Sequence, residues 1–133
     1  MTDLAHTVGR VLLSVIFIVA GYNKLVAIAG TTGYFTRLGV PMPQVMAWVV
    51  AIFEIAAGLM ILVGFKTRWV ALALCAFTGI ALFLGHKFWA VDAAQYTNQL
   101  NHALKNLAVM GGFLLLYANG PGPHSVDART GYK

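Results

Sequence analysis

The sequence contains very few charged residues. Only 10% of its 133 residues are Asp, Glu, Lys or Arg, whereas 59% are hydrophobic, and the mean hydropathy is +0.77. Water-soluble domains carry about 25% charged residues, because a dissolved surface needs them. We therefore predict that residues 1–133 form one integral membrane domain whose outer surface faces lipid.

Cysteine is nearly absent as well. Cys75 is the single cysteine and lies inside an apolar run. One cysteine excludes a disulfide within the chain and a CxxC redox pair. We predict that Cys75 packs as a small apolar side chain.

Acidic residues are scarce, with four Asp and Glu against nine Lys and Arg, so the net charge is +5. In a soluble protein this excess would suggest a nucleic-acid partner. Here the basic residues flank apolar runs and form no stripe interleaved with aromatic residues. We predict contacts with membrane lipid headgroups and no nucleic-acid partner.

Four apolar segments are long enough to cross a bilayer, whose ~30 Å hydrocarbon core needs about 20 helical residues. They cover about residues 6–27, 43–65, 69–88 and 101–118. No alternating pattern of a membrane β-barrel occurs. We predict an all-α, four-transmembrane-helix bundle with short connections, one interfacial stretch at residues 34–38 after the first helix, and a polar tail at 119–133.

The distribution of basic residues predicts the orientation of this multi-pass chain. With four spans, both termini share one side with the turn between the second and third helices. That side carries Arg10, Lys66, Arg68, Arg129 and Lys133. The opposite side carries Lys24, Arg37, Lys87 and Lys105, of which Lys24 and Lys105 lie inside helix ends. The positive-inside rule then favours cytoplasmic termini.

Glu54 interrupts the apolar run of residues 45–65 near its middle. An unpaired carboxylate there would cost several kcal/mol, so it must be paired, protonated or in contact with water. Two interpretations stay open: a functional acid, or a salt bridge between helices that serves only packing.

Three basic side chains, Lys24, His86 and Lys105, are predicted at the non-cytoplasmic end of the bundle, and Arg10 near the other end. Helical phase places each on a face that also carries Gly or Ala, which lets helices approach closely. Such a cluster favours an anion or a polarised carbonyl oxygen. Alternatively, the two lysines reach the membrane interface with their long side chains.

The sequence shows no signature of catalysis or metal binding. His86 and His102 lack a neighbouring thiolate or acid, so we predict no metal site. No nucleophile elbow, phosphate-binding loop or dinucleotide fingerprint occurs, and no residue is predicted to be catalytic.

Short motifs are spread along the chain: Arg10, Gly21-Tyr22-Asn23-Lys24, Tyr34-Phe35, Gly39-Val40-Pro41-Met42-Pro43, Glu54 with Gly58, Gly64-Phe65-Lys66-Thr67-Arg68, Gly85-His86, Lys105-Asn106-Leu107, Gly120-Pro121-Gly122 and Ser125-Val126-Asp127. Together they resemble the DoxX family of small bacterial membrane proteins. The resemblance implies a four-helix protein of the bacterial cytoplasmic (inner) membrane. It also implies a link to quinone-dependent oxidation, since the family is named after a subunit of such a system.

These observations leave three functional classes. The first is a membrane subunit of a quinone-linked oxidoreductase system, which binds a quinone or similar amphipathic molecule in a polar intramembrane pocket. The second is a transporter or binder of a lipid-like ligand, and the third is a scaffold that anchors a soluble partner. As an enzyme the chain is at most a subunit without redox activity of its own, which needs a bound quinone or a soluble oxidoreductase partner. A homo-oligomer is compatible with each class. The residues predicted to bind ligand or relay protons are Glu54, His86, Lys105, Asn106, Lys24 and Arg10.

Overall fold

The computed structural model describes residues 2–132, with side chains from Asp3 onward. It contains six α-helices: α1 Thr2–Val26, α2 Ile28–Arg37, α3 Pro43–Val63, α4 Thr67–Gly85, α5 Ala93–Asn119 and α6 Val126–Thr130. A short 3-10 helix, Phe88–Ala90, links α4 and α5, and these described residues contain no strand. The predicted all-helical architecture is confirmed.

Three helical segments are long and apolar enough to cross a membrane: Asp3–Val26, Pro43–Val63 and Thr67–Ala90. Helix α5 is longer than any of them but is not in this group, because polar residues dominate its first half between Gln95 and Asn106. The predicted integral membrane character is thus supported, whereas the fourth span stays a prediction.

Local sequence signals fix the ends of the helices. Pro43 occupies the first turn of α3, where its missing N–H costs nothing, and Gly64 ends the helix with φ 72°. The Asp92 carboxylate accepts a hydrogen bond from the Gln95 backbone N–H and caps α5. Helix α5 therefore begins at Ala93, whereas the fourth apolar segment was expected to begin at about residue 101. Residues 93–100, which were expected to belong to the connection before that segment, are helical.

The amphipathic stretch expected at residues 34–38 is the last part of helix α2, which begins at Ile28. Phe35 is buried, and α2 packs mainly against α3. The stretch is thus part of the helical packing, and its position relative to the bilayer stays a prediction.

The four long helices alternate in direction and form two antiparallel pairs, α1 with α3 and α4 with α5. Helices α1 and α3 approach closely at Gly21 and Gly58. A Cβ atom on Gly21 would lie 2.7 Å from the Ala51 carbonyl oxygen, and one on Gly58 would lie 2.8 Å from Ile18 Cγ1. Glycine at these two positions therefore sets the distance between the helices.

The C-terminal tail docks onto the bundle. Asp127 is buried, and its carboxylate accepts hydrogen bonds from the Lys66 N–H, the Thr67 N–H and the Thr67 hydroxyl, each at 2.8 Å. The first N–H groups of α4 need acceptors, and a helix N-terminus favours negative charge. We call the end of the bundle formed by the tail and the α3–α4 turn the tail end.

The apolar core lies toward the tail end. It joins all four long helices through nine buried side chains: Phe17, Ala57, Ile61, Val70, Ala71, Leu74, Cys75, Phe113 and Leu116. Cys75 is free and buried, and its thiol lies 3.8 Å from the Met110 carbonyl oxygen. The cavity that the predicted site residues line lies toward the opposite end of the bundle.

Replacing Gly21 by Ala should destabilise the protein by about 1–3 kcal/mol, because the added methyl group meets backbone atoms of Ala51 and Ile55 in α3, which cannot move aside as a flexible side chain can. The measurement is the thermal unfolding temperature of the detergent-solubilised protein. Gly9→Ala, on the same helix, is the matched control, since no atom lies within 4 Å of its Cβ position. That variant should be as stable as the wild type or slightly more stable, and equal melting temperatures for the two variants would contradict the packing described above.

Candidate functional site

A cavity of about 500 Å³ lies between the two helix pairs, and residues Tyr34, Phe35 and Leu38 at the end of α2 cover one side of it. Its walls are mainly apolar. They include Ile16, Phe17, Ala20, Val50, Phe77, Ala81, Leu84 and Val109. Five of the six residues predicted to bind ligand or relay protons line this one cavity: Lys24, Glu54, His86, Lys105 and Asn106.

Lys24 and Glu54 form a salt bridge across the α1–α3 contact, with 2.7 Å between Lys24 Nζ and Glu54 Oε2. The Glu54 side chain is 6% exposed and that of Lys24 is 27% exposed. Gly21 lies about one helical turn from Lys24, and Gly58 one turn from Glu54. The close helix approach at the glycines therefore brings the two charges together. The pair leaves neither charge alone in an apolar environment.

His86, Gln99, His102 and Lys105 form a connected polar cluster where α4 and α5 meet. His86 Nδ1 lies 3.1 Å from Gln99 Oε1, and the His86 and His102 rings stack with centroids 5.0 Å apart and planes 14° apart. In the tautomer of neutral His86 that donates from Nδ1 to the Gln99 carbonyl oxygen, Nε2 is left as a hydrogen-bond acceptor.

Lys105 is bound to the same cluster. Its Nζ lies 3.2 Å from His102 Nδ1. An ammonium group only donates, so His102 Nδ1 accepts this hydrogen bond. Among residues 2–132, no group of three or more His, Cys, Asp or Glu side chains is placed to hold a metal ion.

Tyr34 is a site residue that was absent from the predicted set. It lines the cavity, and a Cβ atom on Gly85 would lie 2.7 Å from the Tyr34 hydroxyl oxygen. The missing side chain at Gly85 thus lets α2 approach the end of α4. The amphipathic pattern of residues 34–38 marked this segment, but it did not show that Tyr34 reaches across to α4.

Arg10 lies away from the cavity, at the tail end. Its guanidinium is buried and donates hydrogen bonds to the carbonyl oxygens of Pro121 and His124, near the Asp127 carboxylate. These contacts hold the tail against α1. The structure therefore separates Arg10 from the other five predicted residues.

Comparison with known proteins gives a consistent family. The sequence pattern of the DoxX family matches residues 5–87. Inner membrane protein YqjF of Escherichia coli strain K12 is 40% identical over 127 residues, which cover 96% of this chain and 92% of that protein. Inner membrane protein YphA of the same organism is 33% identical over 122 residues, covering 92% and 87% of the two chains.

A shorter similarity links the chain to the putative oxidoreductase CatD of Bacillus subtilis strain 168, with 36% identity over 59 residues, 44% of this chain and 42% of that protein. No solved structure matches the chain. The family match over most of the chain and the nearly full-length similarity to two inner membrane proteins establish that this chain is a membrane protein of the DoxX family.

Proposed function

We propose that this protein is a membrane subunit of a quinone-linked oxidoreductase system, and that its cavity binds a quinone or a similar amphipathic molecule. The observation that carries the proposal is the cavity itself. It has mainly apolar walls, and five polar side chains expected from the sequence converge on it. Cavities of roughly 300–1,000 Å³ with few polar groups are typical of small-molecule sites, and about 500 Å³ lies within that range.

The lining matches the two parts of such a ligand. Aromatic and aliphatic side chains such as Phe17, Phe77 and Leu84 suit an apolar ring or tail. Lys105 and Asn106 can donate hydrogen bonds to ligand oxygens, and a polarised carbonyl oxygen is favoured near a cation. The cavity is thus suited to a molecule that is apolar along most of its length and polar at one end.

Reducing a quinone to a quinol requires two electrons and two protons. His86 Nε2, as an acceptor, and the Glu54 carboxylate are the groups in the cavity that can exchange protons with a bound ligand. In this proposal the electrons come from a soluble oxidoreductase partner. The similarity to a protein named a putative oxidoreductase supports the assignment of this chain to an oxidoreductase system.

Helix α5 completes a bundle of four spans in this proposal. It runs antiparallel to α4 between Gln99 and Tyr117, since Arg68 Nη1 lies 3.0 Å from the Tyr117 carbonyl oxygen at one end and His86 contacts Gln99 at the other. A helix paired in this way must cross the bilayer if α4 does. The polar residues that lower its hydropathy include cavity-lining Lys105 and Asn106. Both termini then lie on the cytoplasmic side of the inner membrane, as the distribution of basic residues favours.

A bulky side chain in the cavity should abolish ligand binding. In Ala81→Phe the added ring occupies the cavity, whereas Ala76→Phe adds the same ring on the exposed face of the same helix. We expect the wild type and Ala76→Phe to bind decylubiquinone in detergent-free nanodiscs, and Ala81→Phe to bind at least tenfold more weakly. The measurement is titration of intrinsic tryptophan fluorescence, together with mass spectrometry of molecules that copurify. Equal binding by the two Phe variants would place the ligand elsewhere or rule it out.

The Lys24–Glu54 pair can be tested separately for folding and for binding. Lys24→Met should cost ~3 kcal/mol, because it leaves Glu54 buried without a partner. Glu54→Gln should cost less, since the partly exposed Lys24 can reach water, and the double variant Lys24→Met/Glu54→Gln should recover most of the loss. Thermal unfolding of the wild type and the three variants gives the coupling energy between the two side chains.

The proposal expects the double variant to fold but to bind decylubiquinone more weakly than the wild type. Wild-type binding by that variant would show that the pair serves folding alone.

Fusion reporters should test the number of spans. Green fluorescent protein fused after Lys133 should fluoresce in intact bacteria, and so should the same protein fused before Met1, because both termini are expected in the cytoplasm. Alkaline phosphatase, which is active only outside the cytoplasm, should be inactive at Lys133. A chain with three spans would give opposite results at its two ends.

A further inference from the structure

The charges that line the cavity do not balance. Glu54 is the acidic residue among its lining side chains, and its salt bridge uses it to neutralise Lys24. The other acids serve elsewhere or lie on the surface: Asp127 binds the start of α4, Asp92 caps α5, and Asp3 is exposed in the first turn of α1. Among residues 2–132, no carboxylate lies within 4 Å of Lys105 Nζ.

The ammonium group of Lys105 also has N–H donors available for a ligand. Its ammonium carries three hydrogens, and one hydrogen bond, to His102 Nδ1, is present. His102 stacks on His86, and Gln99 holds the His86 ring. The cluster thus tethers the Lys105 side chain at the wall of the cavity and supplies no negative charge.

Lys105 is exposed and lines the cavity, so its ammonium adds an unneutralised positive charge that attracts a ligand of opposite charge. A ligand with one negative charge would remove this imbalance. Lys24 cannot serve the same purpose without giving up Glu54, so the two lysines differ in role although sequence alone treats them alike.

We propose that the cavity prefers amphipathic organic anions, with a carboxylate, phosphate or ionised hydroxyl on an apolar body, and that Lys105 selects the charged headgroup. This inference rests on the proposed function and deepens it: a neutral quinone can bind, and a ligand of similar shape with one negative charge binds more tightly. The shared chemistry has two sources, an anionic phospholipid of the bilayer or a free organic acid.

The test compares two probes that differ in charge and by a single methyl group: 11-(dansylamino)undecanoic acid and its methyl ester. Both are titrated against the full-length protein in nanodiscs of phosphatidylcholine, which carries no net charge. We expect the wild type to bind the acid at least tenfold more tightly than the ester. Lys105→Met should lose this preference by binding the acid more weakly, whereas Lys105→Arg should keep it.

Lys87→Met is the matched control, because Lys87 is exposed near the same end of the bundle but does not line the cavity. It should retain the wild-type preference. A wild-type protein that binds acid and ester equally while still binding decylubiquinone would overturn the inference and leave the proposed function intact. If the protein binds none of the three probes, the proposed function fails and the inference fails with it.

The source of the anion is distinguished by adding phosphatidylglycerol to the nanodiscs. Displacement of the dansyl acid by this lipid assigns the site to an anionic phospholipid. Retention of the acid assigns it to a free organic acid. Equal loss of acid binding in Lys105→Met and Lys87→Met would contradict the assignment to Lys105, because it would show a general surface-charge effect.

Discussion

The salt bridge between Lys24 and Glu54 is the constraint on which the half of the bundle opposite the tail end depends. Neither charge is stable alone among apolar side chains, and bulk water is not available to solvate them inside a bilayer. The two groups meet at 2.7 Å only because α1 and α3 approach closely, and glycine at positions 21 and 58 permits that approach. The same contact between α1 and α3 therefore packs the two helices and pairs the two charges.

Buried charged groups at the tail end also need partners, and there the partners are backbone groups. Arg10 donates hydrogen bonds to carbonyl oxygens of the tail, and Asp127 accepts hydrogen bonds from the N–H groups at the start of α4. These polar contacts tie both terminal segments to the α3–α4 turn, directly above a dense apolar core. The cavity of about 500 Å³ between the helix pairs lies toward the other end of the bundle.

That asymmetry gives the cavity its chemical character. Its walls are mainly apolar side chains, and charged and imidazole groups lie among them on the same helices. One ion pair is balanced, and one ammonium is hydrogen bonded to an imidazole with no acid beside it in the described part of the chain. In the proposed function, a ligand that is apolar along its body and polar at one end complements both features.

The sequence by itself determined that the outer surface faces lipid and that the chain is helical. It also determined the family and the helix faces that carry Lys24, Glu54, His86 and Lys105. Composition decides the first two, because lipid tolerates neither free charge nor unpaired backbone. Helical periodicity places a side chain on a face but says nothing about which helix that face meets.

Only the tertiary structure decided that Glu54 pairs with Lys24, that Arg10 binds the tail, that Tyr34 contacts α4 at Gly85 and that Lys105 has no acid partner among residues 2–132. Each of these depends on the rotation and separation of helices distant in sequence. Those are set by the combined packing of many side chains, which no single segment encodes.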